Sequence, residues 1–216
     1  MERFTDRQDA GKKLAKALIN YGGDDTVIYA LPRGGVVLGF EIAQALKAPL
    51  DLVITRKIGH PFNKEYAVCA ITEEGELLCD ESERASLDPS WLRREAERER
   101  QEAIRRRIVY LGNARHISAK DKRAIVVDDG IATGLTMRVA LQSLRKEKPK
   151  ELIAAMPVAP HDVVEVLRKE VDTVVVLEEA EIYLGAVGAY YDNFPPVTDE
   201  EVIELLKRSR NKTFSY

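Results

Sequence analysis

The sequence has few of the residues from which metal centres and disulfide frameworks are usually built. Among its 216 residues are two cysteines and three histidines, and Cys69 and Cys79 lack the spacing of metal ligands. We therefore interpret both cysteines as small, buried hydrophobic residues of a reduced, cytosolic protein. A thiolate metal centre is not indicated.

The chain also lacks an excess of positive charge and any long hydrophobic run. Its net charge of −3 gives no global positive field of the kind that drives non-specific nucleic-acid binding, so a polyanion would need a local patch. No apolar run approaches the roughly 18 to 20 residues that span a bilayer. The amino terminus is charged from its second residue and shows no apolar core of a secretory signal. We expect a cytoplasmic protein without membrane contact, for which nucleic acid is not a favoured partner.

What the sequence does contain is an alternation of apolar strand patterns and helical patterns. A strand from Thr26, a helix that reaches Leu46 and a strand from Leu50 fit within about thirty residues, which is typical of a right-handed parallel crossover. The alternation resumes with a strand from Ala124. Because these strands are apolar on both faces, they predict an α/β fold, with a mostly parallel sheet flanked by helices.

The segment between these two runs breaks the alternation. Residues 56–65 are interpreted as a polar loop, and the sequences YAVCAI and ELLC as a short hairpin. A long helix is then predicted, with Asp88 as its N-cap and Pro89 in its first position. Its narrow apolar stripe consists of Leu92, Ala96, Ala103, Ile104, Ile108 and Leu111.

The same helix is dense in arginine between Arg93 and Arg107. Glutamates interleave with these arginines at spacings that allow pairs within the helix. A solvated or oligomer-contacting helix is therefore favoured over a nucleic-acid-binding one. Two capping boxes are also predicted, one from Thr5 and Gln8 and one from Thr198 and Glu201.

The stretch VVDDGIATGLT offers the clearest functional signal. The strand at 124–127 runs into Asp128 and Asp129, and ligands of open parallel sheets bind beyond the carboxyl ends of the strands. The following glycines let the backbone curl, and its threonines and helix-start amides can hold a phosphate monoester. Ionised carboxylates only accept hydrogen bonds, so the acids suit vicinal hydroxyls of an attached sugar. The alternative, an ordinary loop with an acidic N-cap, would need only one acid.

This stretch resembles the phosphoribosyl-diphosphate motif of type I phosphoribosyltransferases, in the version carried by the adenine enzymes. The resemblance implies that Asp128 and Asp129 bind the ribose 2- and 3-hydroxyls. It further implies a 5-phosphate loop consisting of Gly130, Ile131, Ala132, Thr133, Gly134, Leu135 and Thr136.

The resemblance also implies a diphosphate site. The family places a diphosphate-binding loop after its first core strand, where this chain has Pro32, Arg33, Gly34 and Gly35. It often carries a cation after the second strand, at the position of Arg56 and Lys57, which we place among the catalytic residues with the two acids. The alternative for the loop at Arg33 is an ordinary turn with a solvent-facing arginine. The alternative for Arg56 and Lys57 is an incidental, exposed basic pair.

Two features bear on the base. Hypoxanthine and guanine enzymes carry an acid at the position of Ala132, and alanine cannot handle the purine proton. The sequence VGAYYD faintly resembles the Val-Gly-x-x-x-Asp stretch of the hypoxanthine enzymes. This implies a hood in which Tyr190 and Tyr191 stack on a base and Asp192 contributes to magnesium binding. A loop with core aromatics is an equally open interpretation.

The family implies a Mg²⁺-dependent phosphoribosyltransferase that transfers ribose 5-phosphate from phosphoribosyl diphosphate to a purine or pyrimidine base and releases diphosphate. It also implies a homodimer and a mobile lid, for which residues 58–67 or part of the inserted hairpin are candidates. A non-catalytic regulator that senses the same ligand and binds nucleic acid is the alternative. We expect one domain over residues 1–216, with a Rossmann-like core at about 22–178, an inserted hairpin and helix at about 66–116, and a carboxy-terminal hood and helix at about 179–216.

Overall fold

The computed structural model describes residues 3–213, and its centre is a five-stranded parallel sheet. The sheet has the strand order β2-β1-β6-β7-β8. A second, antiparallel sheet has the order β3-β4-β5. The strands are β1 Thr26–Ala30, β2 Leu50–Leu52, β3 Thr55–His60, β4 Asn63–Thr72, β5 Leu77–Cys79, β6 Arg123–Val127, β7 Glu151–Pro160 and β8 Thr173–Ala180. The predicted α/β fold is confirmed.

Helices cover both faces of the parallel sheet. Along β1, Ile28 and Ala30 belong to one buried cluster, and Val27 and Tyr29 belong to the other. This alternation explains why the strand is apolar throughout. The helices are α1 Arg7–Ala17, α2 Gly34–Leu46, α3 Glu81–Arg84, α4 Pro89–Leu111, α5 Leu135–Lys146, α6 His161–Glu170 and α7 Asp199–Thr213, with short 3₁₀ helices at Ile19–Tyr21 and Val187–Tyr190.

Residues 56–65 do not form the predicted loop. They make up most of β3 and the start of β4, which pair as an antiparallel hairpin with Ile58 opposite Cys69. Ile58 is buried, whereas the other side chains of β3 are partly or fully exposed. An antiparallel sheet can leave one face exposed to solvent, so its strands can carry polar side chains on that face. Polarity was therefore a misleading loop signal here.

The interpretation of Cys69 and Cys79 as reduced thiols is also wrong. Both side chains are buried, as expected, but they lie opposite each other on β4 and β5 and form a disulfide with a Cα–Cα distance of 3.9 Å. The pairing depends on strand register, which the spacing of two cysteines in the sequence does not specify.

Helix starts follow the sequence signals closely. Asp88 caps α4 and Pro89 opens it, and Thr198 and Glu201 form the predicted reciprocal pair before α7. At α1 the prediction is wrong by one residue, because Asp6 accepts from the Asp9 amide at 2.8 Å in place of Thr5. Within residues 3–213, no helix is both long and apolar enough to cross a bilayer.

A buried charge network ties α4 to the main sheet. Arg107 donates to Glu73 at 2.7 Å and to Asp51 at 3.2 Å, and both carboxylates are less than a tenth exposed. Glu73 also accepts from the Ile54 amide at 2.9 Å. Burial raises the pKa of Glu73 to about 8, and Arg107 acts in the opposite direction. The network fixes the chain just before β3, which enters the site described below.

Replacing Arg107 by alanine should destabilise the fold strongly. The substitution removes the cation beside Glu73 and leaves Asp51 with His116 alone, and breaking a buried pair in this way costs about 3–5 kcal/mol. Arg105→Ala is the matched control, since Arg105 lies on the same helix and is 60% exposed beside Glu102; such exposed pairs contribute about 0–1 kcal/mol. Urea unfolding of both variants measures the difference. Equal free energies of unfolding would contradict this account.

Candidate functional site

The site lies at the edge where β1 and β6 end. These strands pair in register up to Ala30 and Val127, and the Leu31 amide donates to the Val127 carbonyl at 2.9 Å. The loop after β1 and the two acids after β6 therefore leave the sheet side by side. A Cβ on Gly35 would lie 2.7 Å from the Val127 carbonyl oxygen. Glycine is needed there because the start of α2 packs directly on the strand end.

Asp128 and Asp129 are half-buried and adjacent. Asp128 Oδ1 accepts from the Asp129 amide at 2.9 Å. Burial raises the pKa of Asp128 well above its usual range, the Asp129 carboxylate adds to this effect, and Lys57 opposes it. Two neighbouring acids with little water access thus require compensating positive charge.

Arg7 of α1 supplies part of that charge. Its Nε donates to Asp129 Oδ2 at 2.7 Å, and both side chains are largely buried. The same guanidinium donates to the Pro195 carbonyl at 2.6 Å and lies 3.6 Å from the centre of the Phe194 ring. These contacts fix Asp129 from the amino-terminal side. Arg7 was not predicted as a site residue, because nothing near it in the sequence points to a residue 122 positions away.

The glycine- and threonine-rich loop follows the acids. Gly130 and Gly134 have φ angles of +151° and +78°, and residues other than glycine rarely adopt such positive φ angles. A Cβ on Gly130 would lie 2.5 Å from Val187. Ala132 and Thr133 are exposed, whereas the Leu135 side chain is turned into the core at the start of α5.

These parts surround one pocket of about 440 Å³. Most of the site residues suggested by the sequence line it: Pro32, Arg56, Lys57, Asp128, Asp129, Gly130, Ile131, Ala132, Thr133, Gly134 and Thr136. Four lining residues were not suggested by the sequence: Arg7, Thr55, Arg106 and Phe194. Two more lining residues, Leu31 and Val187, are the first residues of the stretches LPRGG and VGAYYD, which the sequence suggested as the diphosphate loop and the hood.

Two glutamates of α4 hold Arg56 and Arg106, two of the arginines that line this pocket. Arg56 Nε donates to Glu99 Oε2 at 2.8 Å, and Glu99 is only 8% exposed. Arg106 Nε donates to Glu102 Oε1 at 3.0 Å. The pocket therefore combines two carboxylates at the sheet edge with cationic side chains from α1, β3 and α4, which suits a ligand that carries both hydroxyls and anionic groups.

Some suggested residues do not line the pocket. Arg33 pairs with Asp199 at 3.6 Å, and Asp192 pairs with Arg3 at 3.3 Å, with more than half of the Asp192 side chain exposed. Gly34 instead lets the start of α2 lie close to Asp129, since a Cβ at position 34 would be 1.8 Å from Asp129 Oδ2. In this arrangement Arg33 and Asp192 each have an exposed ion-pair partner and do not line the pocket.

The hood assignment of Tyr190 and Tyr191 needs correction. Both rings are 1% exposed. The Tyr190 hydroxyl accepts from the Leu184 amide at 3.0 Å, and the Tyr191 hydroxyl donates to the Asp129 carbonyl at 2.6 Å. The open alternative, core aromatics, describes them, because a base cannot stack on rings whose faces are covered. Tyr191 instead supports the backbone beneath the acid pair.

The carboxylates of the pocket can supply only part of the coordination of a metal ion. Within residues 3–213, no group of three or more histidine, cysteine or acidic side chains could hold a metal by itself. Mg²⁺ usually takes one or two carboxylates together with substrate phosphates and waters. The oxygens of Asp128 and Asp129 fit that kind of partial coordination, because they are hard donors that line the pocket.

Comparisons with known proteins agree with this geometry. Residues 2–193 match the family model described as "Phosphoribosyl transferase domain". Two curated Mycobacterium tuberculosis proteins, from strains CDC 1551 and H37Rv and named as candidate phosphoribosyl transferases, are 37% identical over 97% of this chain. The chain spans about half the length of these curated relatives, 47% in each case.

A solved structure extends the match to the whole fold. The crystal structure of TT1426 from Thermus thermophilus has a TM-score of 0.80 and 40% sequence identity, covering 95% of this chain and 98% of that one. The family match covers most of the chain, including the pocket-lining segments after β1 and β6. This chain therefore belongs to the phosphoribosyl transferase domain family.

Proposed function

We propose that this protein is a Mg²⁺-dependent enzyme that transfers ribose 5-phosphate from phosphoribosyl diphosphate to a nitrogenous base and releases diphosphate. One observation carries the proposal: two adjacent, half-buried carboxylates and a glycine- and threonine-rich loop open into one pocket with cationic side chains. A simple phosphate site would not place acids there, and a simple metal site would not surround them with arginine and lysine.

The acids and the loop would bind opposite ends of the ribose phosphate. Asp128 and Asp129 accept hydrogen bonds from the 2- and 3-hydroxyls, since carboxylates are acceptors only. Residues 130–136 hold the 5-phosphate through backbone amides at the start of α5 and through the hydroxyls of Thr133 and Thr136. Leu135 contributes only its backbone, because its side chain is 7% exposed and packs in the core.

Diphosphate would lie towards β3 and the loop after β1. Arg56 and Lys57 line that side of the pocket together with Pro32. Arg33 would reach the diphosphate only by leaving Asp199, which is an easy exchange because both side chains of this pair are 44% exposed and exposed pairs contribute about 0–1 kcal/mol. Gly34 and Gly35 are required mainly so that α2 can approach the acids.

The reaction breaks the bond between C1 of the ribose and a diphosphate oxygen, and forms a bond between C1 and a base nitrogen. The transition state has a positively charged sugar and a departing anion, so positioning and charge stabilisation are the main tasks of the protein. Asp128 and Asp129 favour positive charge on the ring, and Arg56 and Lys57 favour the anion. When bound, Mg²⁺ would neutralise part of the diphosphate charge.

The acceptor is left as a purine or pyrimidine base. Ala132 offers no group to handle a proton of the base, and the aromatic ring of Phe194 has one face covered by Arg7 at 3.6 Å. Ile131 and Val187 line the pocket beside the loop and offer apolar contacts to a base.

The β3–β4 turn, where the Phe62 side chain is 93% exposed, is the candidate lid that would exclude water. The homodimer, the cytoplasmic location and the proposed division of the domain stay predictions.

The regulator alternative depends on a basic face of α4 that could bind nucleic acid. Several arginines of this helix instead pair with glutamates along it: Arg98 with Glu95, Arg100 with Glu97, and Arg105 with Glu102. These pairs offset the positive charge that nucleic-acid binding would need. They support the interpretation of α4 as a solvated helix on its outer face, so we favour the enzyme.

Replacing Asp128 and Asp129 together by asparagine should weaken phosphoribosyl-diphosphate binding more than tenfold in the presence of Mg²⁺, because the hydroxyls lose charged acceptors. Asp162→Asn is the control, since Asp162 is an exposed acid in the first turn of α6. Calorimetry measures affinity, and circular dichroism checks that the variant folds. Unchanged affinity in the folded double variant would contradict the assignment of the acids.

Gly34→Ala should weaken binding of the same ligand. A Cβ at this position would lie 1.8 Å from Asp129 Oδ2, so the carboxylate has to move away from the ribose site. Gly22→Ala is the matched control, because its Cβ would make only ordinary contacts at 3.5 Å or more. We expect at least a fivefold loss for Gly34→Ala and less than a twofold change for Gly22→Ala. Similar affinities of the two variants would argue against a precise role for Asp129.

Turnover is tested with a panel of purine and pyrimidine bases. The wild-type protein is mixed with phosphoribosyl diphosphate, Mg²⁺ and each base, and diphosphate release is followed. Release should depend on one base or a small group of them. If the ligand binds but no base stimulates release, and RNA or DNA binds tightly at moderate salt, the regulator is the correct alternative.

A further inference from the structure

The inner face of α4 carries two charged residues where a buried apolar stripe would be expected. Glu99, Ala103, Arg106 and Tyr110 follow one another at spacings of four, three and four residues, which places them on one side of a helix. Glu99, Ala103 and Tyr110 are 8%, 0% and 4% exposed. Ile108, by contrast, is 61% exposed, so the predicted apolar stripe is wrong at that position.

Arg106 uses this inner position to reach the pocket. It is one of the pocket-lining residues, and 29% of its side chain is exposed. Its neighbour Arg105 shares the same partner, Glu102, but is 60% exposed and does not line the pocket. Hydrogen bonds from both arginines lower the pKa of Glu102 to about 2, so that carboxylate is ionised at neutral pH.

Glu102 orients Arg106 without occupying the whole guanidinium. In the described part of the chain, the only hydrogen bond found for this side chain runs from Nε to Glu102 Oε1, at 3.0 Å. Both terminal nitrogens keep their donors, and a guanidinium presents such donors in a planar fork that matches phosphate oxygens. Arg106 is therefore held in place and still able to bind an oxyanion.

The neighbours of Arg106 place it on the diphosphate side. One end of the stripe holds Arg56 through Glu99 at 2.8 Å. At the other end Tyr110 donates to Asp199 at 2.7 Å, and Asp199 also pairs with Arg33. Arg106 thus lies along α4 between the contacts of two arginines that were assigned to diphosphate from the sequence.

We propose that Arg106 binds diphosphate oxygens of phosphoribosyl diphosphate directly, so that the inserted, arginine-rich helix forms one wall of the substrate site. This inference rests on the proposed function and adds to it a residue on α4. When the C1–O bond breaks, the leaving diphosphate gains negative charge. A guanidinium already fixed beside it stabilises that charge without reorganisation.

The test compares Arg106→Ala with Arg105→Ala, which lies next to it and removes the same charge and the same Glu102 partner. Calorimetry measures the binding of phosphoribosyl diphosphate and of inorganic diphosphate, each with Mg²⁺. We expect Arg106→Ala to lose at least tenfold in affinity for both ligands, and Arg105→Ala to change less than twofold. Arg106→Lys should recover part of the loss, since it restores charge but not the planar fork.

The outcomes separate this inference from the proposed function. If the wild type binds neither ligand, the proposed function fails. If the wild type binds both and the two alanine variants are equal, Arg106 has no direct role and only the inference is overturned. If Arg106→Ala unfolds, Arg106→Lys and Arg106→Gln are compared in its place. A direct role of Arg106 requires that the lysine variant binds diphosphate more tightly than the glutamine variant. Equal affinities of these two variants overturn the inference.

Discussion

The site depends on one electrostatic constraint, which is that two adjacent carboxylates lie half-buried at the end of β6. Burial and the neighbouring Asp129 carboxylate raise the pKa of Asp128 well above its usual range. The fold offsets this burial of negative charge with positive charge from distant segments, since Arg7 of α1 pairs with Asp129 at 2.7 Å and Lys57 of β3 opposes the rise in the pKa of Asp128. The acids therefore hold segments from three parts of the chain around one pocket.

The same constraint explains the glycines that face the acids. Side chains at Gly34 and Gly35 would collide with Asp129 and with the end of β6. These two positions must therefore be glycine for the first turn of α2 to pack against the strand ends. The motif after β6 and the glycines after β1 thus form one packing unit. Their register in the parallel sheet, with Ala30 opposite Val127, aligns the two loops.

β3 and the inserted segment together give the pocket its cationic side. β3 carries Arg56 and Lys57, and α4 supplies Arg106 and the buried Glu99 that fixes Arg56. Arg107 anchors this segment to the main sheet through Asp51 and Glu73. Buried ion pairs, together with the packing of Ala103, Tyr110 and Leu111 in the main core, constrain the charged residues of the insertion in position. Charge on α4 therefore serves three purposes: solvation outside, anchoring, and formation of the pocket wall.

Local signals made much of this fold predictable. The strand and helix alternation, the caps at Asp88 and Thr198, and the loop after β6 each depend on residues close together in the sequence, and the structure agrees with them. The misses involve distant contacts. Arg7 meets Asp129 across 122 residues, Cys69 meets Cys79 through strand register, and the burial of Tyr190 and Tyr191 depends on packing against the core. Arg106 has a weaker signal in the sequence: it is a charged residue that shares one side of the predicted helix with residues that are buried.

The central claim is that the acids and the loop bind opposite ends of one sugar phosphate. A crystal structure of the protein with phosphoribosyl diphosphate and Mg²⁺ tests it most directly. We expect the ribose 2- and 3-hydroxyls to lie within hydrogen-bond distance of Asp128 and Asp129, and the 5-phosphate to contact the amides of residues 130–136. A ligand bound with its ribose away from both acids, or with diphosphate in that loop, would contradict the account.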